Sequence, residues 1–328
     1  MDIIAECKAS IRGRGLRVIL PESDDDRVLR AARRLLDEDL ARPVLLGVPE
    51  SIEGKADELE LSLDGVEIRN PDGDPDLEGL AAKIATGRER MTTGMAMRLL
   101  RRPLYYGGAM VASGQAAAMV AGAANPTRRV IEAGLMTVGL AEGVATPSSF
   151  FLMLLPATHD GAPRAYVFAD CAVNVDPDAS TLADIAIASA ASAEALLHQE
   201  ARVAMLSFST HGSASHPIVE KVRAAVGIVR ERKPDLKIDG ELQADAALNG
   251  TVAAKKIKGE SAVAGRANVL VFPNLDAGNI AYKLVQYLAN AQAIGPFLQG
   301  FAKPIADLSR GASVDDIVAT AAVTLARA

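Results

Sequence analysis

Short apolar runs alternate with amphipathic segments along almost the whole chain. The clearest amphipathic segment is residues 24–40, with acids in its first turn and apolar side chains at helical spacing. The same pattern predicts helices over residues 179–197, 215–232, 242–255, 275–289 and 313–327. Buried strands are predicted at the apolar runs 17–23, 43–48, 116–122, 149–156, 164–170, 202–209 and 268–274. This alternation indicates a mainly parallel α/β fold with flanking helices.

Composition and charge are those of an ordinary globular protein. The 328 residues suggest about two domains. A net charge of -6 argues against general nucleic-acid binding. The most apolar stretch, "SSFFLMLLPA", ends at Pro156 and is too short to cross a bilayer, so no membrane partner is expected. The sequence has no signal-peptide pattern, and its two cysteines, Cys7 and Cys171, are too few for a disulfide framework. The protein is therefore expected in the cytoplasm.

Several common catalytic motifs are absent from the sequence. It contains no G-x-x-x-x-G-K-[ST] phosphate loop, no G-x-G-x-x-G after a strand and no G-x-S-x-G elbow. The histidines lack the H-E-x-x-H spacing, and His211 and His216 are expected to be polar loop residues. No metal site and no tightly bound cofactor are therefore expected.

The tail "AKPIADLSRGASVDDIV" places a hydroxyl, a guanidinium and a carboxylate within eight residues, at Ser309, Arg310 and Asp316. One interpretation is structural, because Ser313 followed by Asp316 has the spacing of a capping box. The other is chemical, because such a set at a helix start can handle an anion during catalysis. Asp316 can serve both purposes.

Several other polar residues are candidates for binding substrate, and some of them stand at the ends of predicted strands, where parallel sheets bind ligands. Ser207, Ser209 and Thr210 in "SFSTHGS" form either a phosphate cradle or a simple strand-to-helix turn. Arg98, Arg101 and Arg102 could attract phosphates or stand as a solvated helix end. For Asn279, the sequence leaves open whether it lines a cleft or packs a subunit interface.

Long blocks of the chain resemble phosphate acetyltransferases, the phosphotransacetylases. The tail "GPFLQGFAKPIADLSRGASVDDIV" resembles their C-terminal signature. Blocks such as "PESDDDRVLRAA", "FADCAVNVDPDASTLADIAI" and "VAMLSFSTHGSASHPIVEKVR" follow in the family's order. The resemblance implies the reversible reaction of acetyl-CoA and phosphate to acetyl phosphate and CoA.

The resemblance also implies an architecture. The implied architecture would be a homodimer of two-domain α/β subunits similar to isocitrate and isopropylmalate dehydrogenases, with the active site in the interdomain cleft. Residues 1–147 with 300–328 would form the first domain, closed by the C-terminal helix, and residues 148–299 the second. In the sequence itself, "EGVATPSS" at 142–149 is a candidate boundary.

Family roles are carried over by position. Ser309, Arg310 and Asp316 match the family's catalytic serine, arginine and aspartate, and Arg88 or Arg90 matches a substrate-binding arginine ahead of "MTTGMA". The chain departs from the family pattern in three places, since Ala312 replaces a frequent cysteine, Ala306 an asparagine and Glu132 an arginine. For the last of these, Arg129 lies one turn earlier on the same helix face and could substitute.

Three rival functions remain at this stage. A phosphate butyryltransferase would use the same chemistry on a longer acyl group. A metal-dependent decarboxylating dehydrogenase would need an aspartate cluster, for which only Asp170, Asp176, Asp178 and Asp184 are dense enough. A regulatory or scaffold relative would have lost the Ser–Arg–Asp set, which this chain retains.

Overall fold

The computed structural model describes residues 2–86, 88, 91–157 and 164–328. These residues form two compact units. The first unit comprises residues 2–143 and 301–328, and the second unit comprises residues 144–300. The first unit therefore combines both ends of the chain.

The strands are β1 (Arg17–Leu20), β2 (Arg42–Leu46), β3 (Glu67–Arg69), β4 (Ala118–Ala121), β5 (Ser148–Leu155), β6 (Arg164–Ala169), β7 (Arg202–Leu206), β8 (Lys237–Leu242), β9 (Val269–Val271), β10 (Gln292–Gln299) and β11 (Ile305–Asp307). The helices are α1 (Ile3–Ile11), α2 (Asp26–Asp37), α3 (Pro49–Glu58), α4 (Leu77–Ala85), α5 (Thr93–Leu100), α6 (Pro103–Ser113), α7 (Thr127–Thr137), α8 (Ala179–Leu197), α9 (Pro217–Arg232), α10 (Ala244–Leu248), α11 (Gly250–Lys256), α12 (Leu275–Leu288) and α13 (Val314–Ala326).

The first unit is built on parallel strands in the order β3-β2-β1-β4-β11. Strand β11 comes from the C-terminal tail, and its Ile305 is paired with Met119 of β4. Helix α13 packs against α1 and α2 on this unit. The carboxyl ends of β1, β4 and β11 consequently lie side by side, and the loops that follow them are neighbours.

The second unit orders its strands β10-β5-β6-β9-β7-β8. Strands β6, β9, β7 and β8 are parallel, whereas β5 runs antiparallel to both β6 and β10. The core on one face is aromatic, and Phe151 of β5 stacks on Tyr282 of α12 with ring centroids 4.0 Å apart. Helix α8 is long and apolar enough to cross a membrane by length and composition alone. Its buried residues pack within the unit, which accounts for that apolar composition.

The predicted α/β class with flanking helices is confirmed, and the predicted helices 179–197, 275–289 and 313–327 match α8, α12 and α13 closely. The helix predicted over 242–255 is wrong in detail. It is two short helices, because the backbone is extended at Asn249 and the Asn249 side chain caps α11. Strands β3, β8, β10 and β11 are not among the predicted apolar runs. They are short or carry Gly, Pro or acidic residues, which hide a strand from a search for apolar runs.

Candidate active site

The Ser309–Arg310–Gly311 turn connects β11 to α13 in the first unit. Leu308 is buried, and the three turn residues that follow it are exposed. The turn is closed by the Ala312 N–H, which donates to the Ser309 carbonyl at 2.9 Å. The Ser309 hydroxyl accepts from the Gly311 N–H at 3.3 Å. A strand end followed by a helix start thus presents the hydroxyl and the guanidinium on a short exposed segment.

Asp316 closes a capping box at the start of α13. The Ser313 hydroxyl accepts the Asp316 N–H at 3.2 Å, and Asp316 Oδ2 accepts the Ser313 N–H at 2.9 Å. The structural interpretation of this pair is therefore confirmed. Both Ser313 groups that donate to the carboxylate use Oδ2, so the cap occupies one of its two oxygens. The other oxygen, Oδ1, has no hydrogen bond to the part of the chain that the structure describes.

Asp307 lies beneath the turn, at the end of β11, and is fully buried. Its Oδ2 accepts from the Thr127 hydroxyl, whereas Oδ1 has no partner among the described residues. Burial raises the pKa of Asp307 to about 7. The hydrogen bonds from Thr127 and the Leu308 N–H act against this rise, and the nearby Glu22 carboxylate adds to it. A carboxyl group that titrates near neutrality is thus located two residues before Ser309.

Glu22 organises the loop between β4 and α7. Its carboxylate accepts the backbone N–H groups of Gly122, Ala123, Ala124 and Asn125 at 2.7 to 3.1 Å, and also the Asn125 side-chain amide. Successive N–H groups of this kind could bind an anion from solution, but here a buried side chain occupies them. The loop therefore has a defined shape before any substrate arrives.

A cavity of about 640 Å³ opens in the first unit beside these loops. Arg129 and Glu132 of α7 both line it, as do Arg102 and Tyr105. The Arg102 guanidinium lies over the Tyr105 ring at 5.7 Å from its centroid. Burial, together with a hydrogen bond to Glu132, raises the pKa of Tyr105. The predicted compensation of Glu132 by Arg129 is thus geometrically possible within this one cavity.

Arg88 makes contacts of a different kind from those expected of a substrate ligand. Its guanidinium donates to the carbonyls of Leu135, Met136 and Thr137 at the C-terminal end of α7. Burial lowers its pKa. The guanidinium therefore stabilises a helix end, as a cation does near the negative end of a helix dipole. Arg90, the alternative candidate, lies outside the described residues.

Ser207, Ser209 and Thr210 belong to the second unit and follow β7. Ser209 is buried, and its hydroxyl donates to Glu241 at 2.8 Å. The Gly212 N–H donates to the same Glu241 carboxylate at 2.7 Å. The hydroxyl of Thr210 donates to Gln243 and accepts the Gln243 N–H, and Ser207 accepts from the Ser209 N–H. The groups predicted to hold a phosphate thus bond largely to their own fold, which favours the strand-to-helix turn.

Asn279 and the aspartates of the rival metal site also have structural partners in the second unit. Asn279 donates from its amide to the Cys171 carbonyl at 3.0 Å. Asp178 caps α8, Asp184 pairs with Arg232 at 2.7 Å, and Asp170 accepts three backbone N–H groups of the loop after β6. Within residues 2–86, 88, 91–157 and 164–328, no group of three or more His, Cys, Asp or Glu is placed to hold a metal ion.

Four residues beside the turn were missed by sequence reasoning, namely Glu22, Arg27, Thr127 and Asp307. The local signals are that Glu22 stands in "PES" at the end of the predicted run 17–23 and that Asp307 precedes the serine in "DLSRG". Their partners lie up to 285 residues away in the chain, so local patterns could not have paired them.

Known proteins resemble the chain along its whole length. The family model described as Phosphate acetyl/butaryl transferase matches residues 2–325. A phosphate acetyltransferase from Clostridium acetobutylicum is 45% identical over 330 residues, covering 100% of this chain and 99% of the relative.

Solved structures agree with this match. A phosphotransacetylase from Streptococcus pyogenes is 40% identical with a TM-score of 0.91, covering 99% of this chain and 97% of that one. The EutD phosphotransacetylase from Staphylococcus aureus is 37% identical with a TM-score of 0.89, covering 99% of this chain and 98% of that one. Full-length matches at this identity, together with the Ser–Arg–Asp turn, show that the chain belongs to the phosphate acetyl/butyryl transferase family of acyltransferases.

Proposed function

We propose that the protein is a phosphate acetyltransferase that moves the acetyl group directly between the CoA thiol and phosphate in a ternary complex. In the direction of acetyl phosphate formation, a phosphate oxygen attacks the thioester carbonyl and the carbon–sulfur bond breaks. The thiolate takes up the proton that the attacking hydrogen phosphate loses, and Asp316 transfers it. No covalent acyl-enzyme and no tightly bound cofactor are involved. The arrangement of Ser309, Arg310 and Asp316 around one helix start carries this proposal.

Arg310 is the proposed ligand of the phosphate and of the developing oxyanion. Its planar guanidinium matches phosphate oxygens in a bidentate manner and stays charged at every relevant pH. A fixed cation beside the tetrahedral intermediate is usually a large catalytic contribution. Ser309 is the proposed hydrogen-bond donor to the thiolate or to the carbonyl oxygen.

Asp316 is the proposed base for the CoA thiol in the reverse direction. An ordinary thiol and an ordinary aspartate differ by about 4.6 pKa units, so complete proton transfer between them costs about 6 kcal/mol. That cost fits within the barrier of a typical enzyme reaction. The capping box supports the assignment, because it holds the carboxylate through Oδ2 and leaves Oδ1 for the thiol.

CoA phosphates are the proposed ligands of the basic side chains that line the cavity in the first unit. Arg129 and Arg102 are the best supported of these, because both line the cavity. Arg88, Ser209 and Thr210 have less support, since their donors already bond to the fold. Arg90, Ser207 and Asn279 stay predictions from the sequence.

A cytoplasmic homodimer is the proposed form of the enzyme. The family resemblance suggests it, and one feature of α12 supports the association. Ile280, Leu284, Tyr287 and Leu288 form an exposed apolar stripe, with Leu288 79% exposed. A stripe of this kind is typical of a surface that another subunit covers.

The decisive experiment follows thioester absorbance when the protein meets acetyl-CoA with and without phosphate. We expect phosphate-dependent loss of acetyl-CoA, and a fall in kcat of about 10²-fold or more for Asp316→Asn. The asparagine still accepts the Ser313 N–H, so the cap survives while the base is lost. Ser313→Ala is the matched control, because it costs about 1 kcal/mol of stability through the cap but retains the carboxylate.

Each alternative role or function predicts a different result in the same assay. Full activity of Asp316→Asn would reduce Asp316 to a helix cap. Faster turnover of butyryl-CoA than of acetyl-CoA would make the protein a phosphate butyryltransferase. Stability of both thioesters in the presence of folded protein would refute the proposed function.

A further inference from the structure

Arg27 stands at the second position of α2, beside the loop that follows β1. All five N–H groups of its guanidinium have acceptors inside the first unit. Nε and one Nη2 proton go to the Asp25 carboxylate at 3.0 and 2.7 Å. The two Nη1 protons go to the carbonyls of Arg310 and Ala312, both at 2.8 Å, and the second Nη2 proton goes to the Ala123 carbonyl at 3.1 Å.

These acceptors belong to three separate loops. Asp25 follows β1, Ala123 follows β4, and Arg310 with Ala312 follow β11. Since the three strands are neighbours in the order β1-β4-β11, their loops surround the guanidinium. The two carbonyls at residues 310 and 312 lie on either side of Gly311, so Arg27 holds the backbone of the turn on both sides of that glycine.

The turn has little else to fix it. Ser309, Arg310 and Gly311 are exposed, and a Cβ built on Gly311 would meet only the Ser309 hydroxyl at 3.9 Å. Apart from the bonds to Arg27, the hydrogen bonds of residues 309 to 313 within the described part of the chain are to one another, to Asp316 and to the Ile317 N–H. Arg27 is therefore the long-range tether between this segment and the body of the unit.

We propose that Arg27 is the positioning residue of the active site, acting through the backbone on which Arg310 stands. This inference rests on the proposed function for its catalytic meaning. Arg27 is not a substrate ligand in this arrangement, because no N–H remains for a phosphate. Asp25 is part of the device, since its carboxylate holds the guanidinium in the one orientation that reaches all three carbonyls.

A lysine cannot replace this residue. Its ammonium is a point charge with three donors and no planar fork, so it cannot satisfy three carbonyls and a carboxylate together. Displacement of a catalytic group by about 1 Å can cost about 10²-fold in rate. We therefore expect Arg27→Lys to lower kcat about 10²-fold while KM for acetyl-CoA changes less than about threefold.

The test combines a double-mutant cycle of kcat values with a second measurement that does not depend on activity. If Arg27 acts only through Arg310, then Arg27→Lys should cost nothing further in an Arg310→Gln background. Additive losses in the cycle would overturn the inference, as would wild-type kcat for Arg27→Lys. Arg30→Lys is the matched control, because Arg30 lies one turn further along α2 and is exposed.

Hydrogen exchange supplies the independent readout on the same proteins. We expect faster exchange of the Gly311 and Ala312 amides in Arg27→Lys and unchanged exchange in Arg30→Lys. This result stands even if the wild-type protein does not turn over acetyl-CoA, so failure of the proposed function is distinguishable from failure of the tether. Unchanged exchange in Arg27→Lys would overturn the positioning role. If Arg27→Lys does not fold, Asp25→Asn should show the same faster exchange in milder form.

Discussion

Glu22, Asp170 and Glu241 are buried carboxylates that each accept backbone N–H groups from a loop at the end of a strand. A buried charge is costly unless several hydrogen bonds compensate it. Glu22 and Asp170 each accept at least three backbone N–H groups, and Glu241 accepts the Gly212 N–H together with the Ser209 hydroxyl. Asp307 is different, because one of its oxygens has no partner within the described ranges. The number of hydrogen-bond donors around a buried carboxyl group therefore decides how well its charge is compensated.

Asp307 should make the stability of the protein depend on pH. Its pKa is raised to about 7 in the folded state, so the folded protein holds this proton more tightly than the unfolded chain does. The contribution to stability is present below an ordinary aspartate pKa and is lost as the pH rises from about 4 to about 7. Asp307→Asn cannot ionise and still accepts from Thr127. We expect this variant to be about 2–4 kcal/mol more stable than wild type at pH 8 and nearly equal to it at pH 4.

Urea unfolding at both pH values measures this difference. Asp64→Asn, at an exposed position of the first unit, serves as the control for removing one negative charge, because the Asp64 carboxylate has no ion pair with the described residues. Equal stabilisation by Asp307→Asn at pH 4 and pH 8 would contradict the linkage to ionisation.

Helix α7 is held at both ends by side chains from other elements. Glu22 shapes the loop before it, and Arg88 binds the carbonyls at its C-terminus. Close packing adds to this, since a Cβ built at Gly134 would lie 2.7 Å from the Phe301 ring. The helix that carries Arg129 and Glu132 is therefore rigidly located in the first unit.

Arg88→Gln tests whether that residue is a helix clamp or a substrate ligand. A clamp predicts a loss of about 1 kcal/mol in unfolding free energy, because partly buried carbonyls at the end of α7 lose their donor, and a KM for CoA close to wild type. Thermal unfolding and steady-state kinetics give the two numbers. Lys83→Gln, on the exposed face of α4, is the control for loss of a cation. A raised KM with unchanged stability would restore the ligand role.

At the scale of the whole molecule, both ends of the chain contribute to the first unit, and the second unit is formed by the segment between them. This organisation brings the turn after β11 next to the loops after β1 and β4. The exposed apolar stripe on α12 is the surface proposed to join two subunits, and a substitution in it tests whether the homodimer forms there.

Leu284→Glu should abolish the proposed homodimer. A carboxylate in the centre of an apolar contact has no partner there, and its desolvation opposes association. Light scattering should give about twice the chain mass of 34.2 kDa for the wild type and the mass of a single chain for the variant. Val48→Glu, at another exposed apolar residue, should leave the wild-type mass unchanged. A dimer that survives Leu284→Glu would place the interface elsewhere.

The sequence by itself determined the α/β class, five of the helices (α2, α8, α9, α12 and α13) and the capping box of Ser313 with Asp316. Each of these depends on residues only a few positions apart, so periodicity and spacing contain the information. The family was also accessible, because several long blocks stand in its order. The residues assigned to substrate, from that resemblance or from their place after a strand, stay predictions. Arg88 and Ser209 show how such polar side chains can instead bond to the fold.

Only the tertiary structure decided how far Asp307 is buried, where β8, β10 and β11 lie, and what Arg27 binds. The three carbonyl acceptors of Arg27 are 96 and 283 to 285 residues away, and backbone carbonyls have no signature in the sequence. The pKa of Asp307 likewise depends on burial and on Thr127, 180 residues earlier. Desolvation and long-range hydrogen bonds arise when distant segments pack together, and no local pattern specifies them.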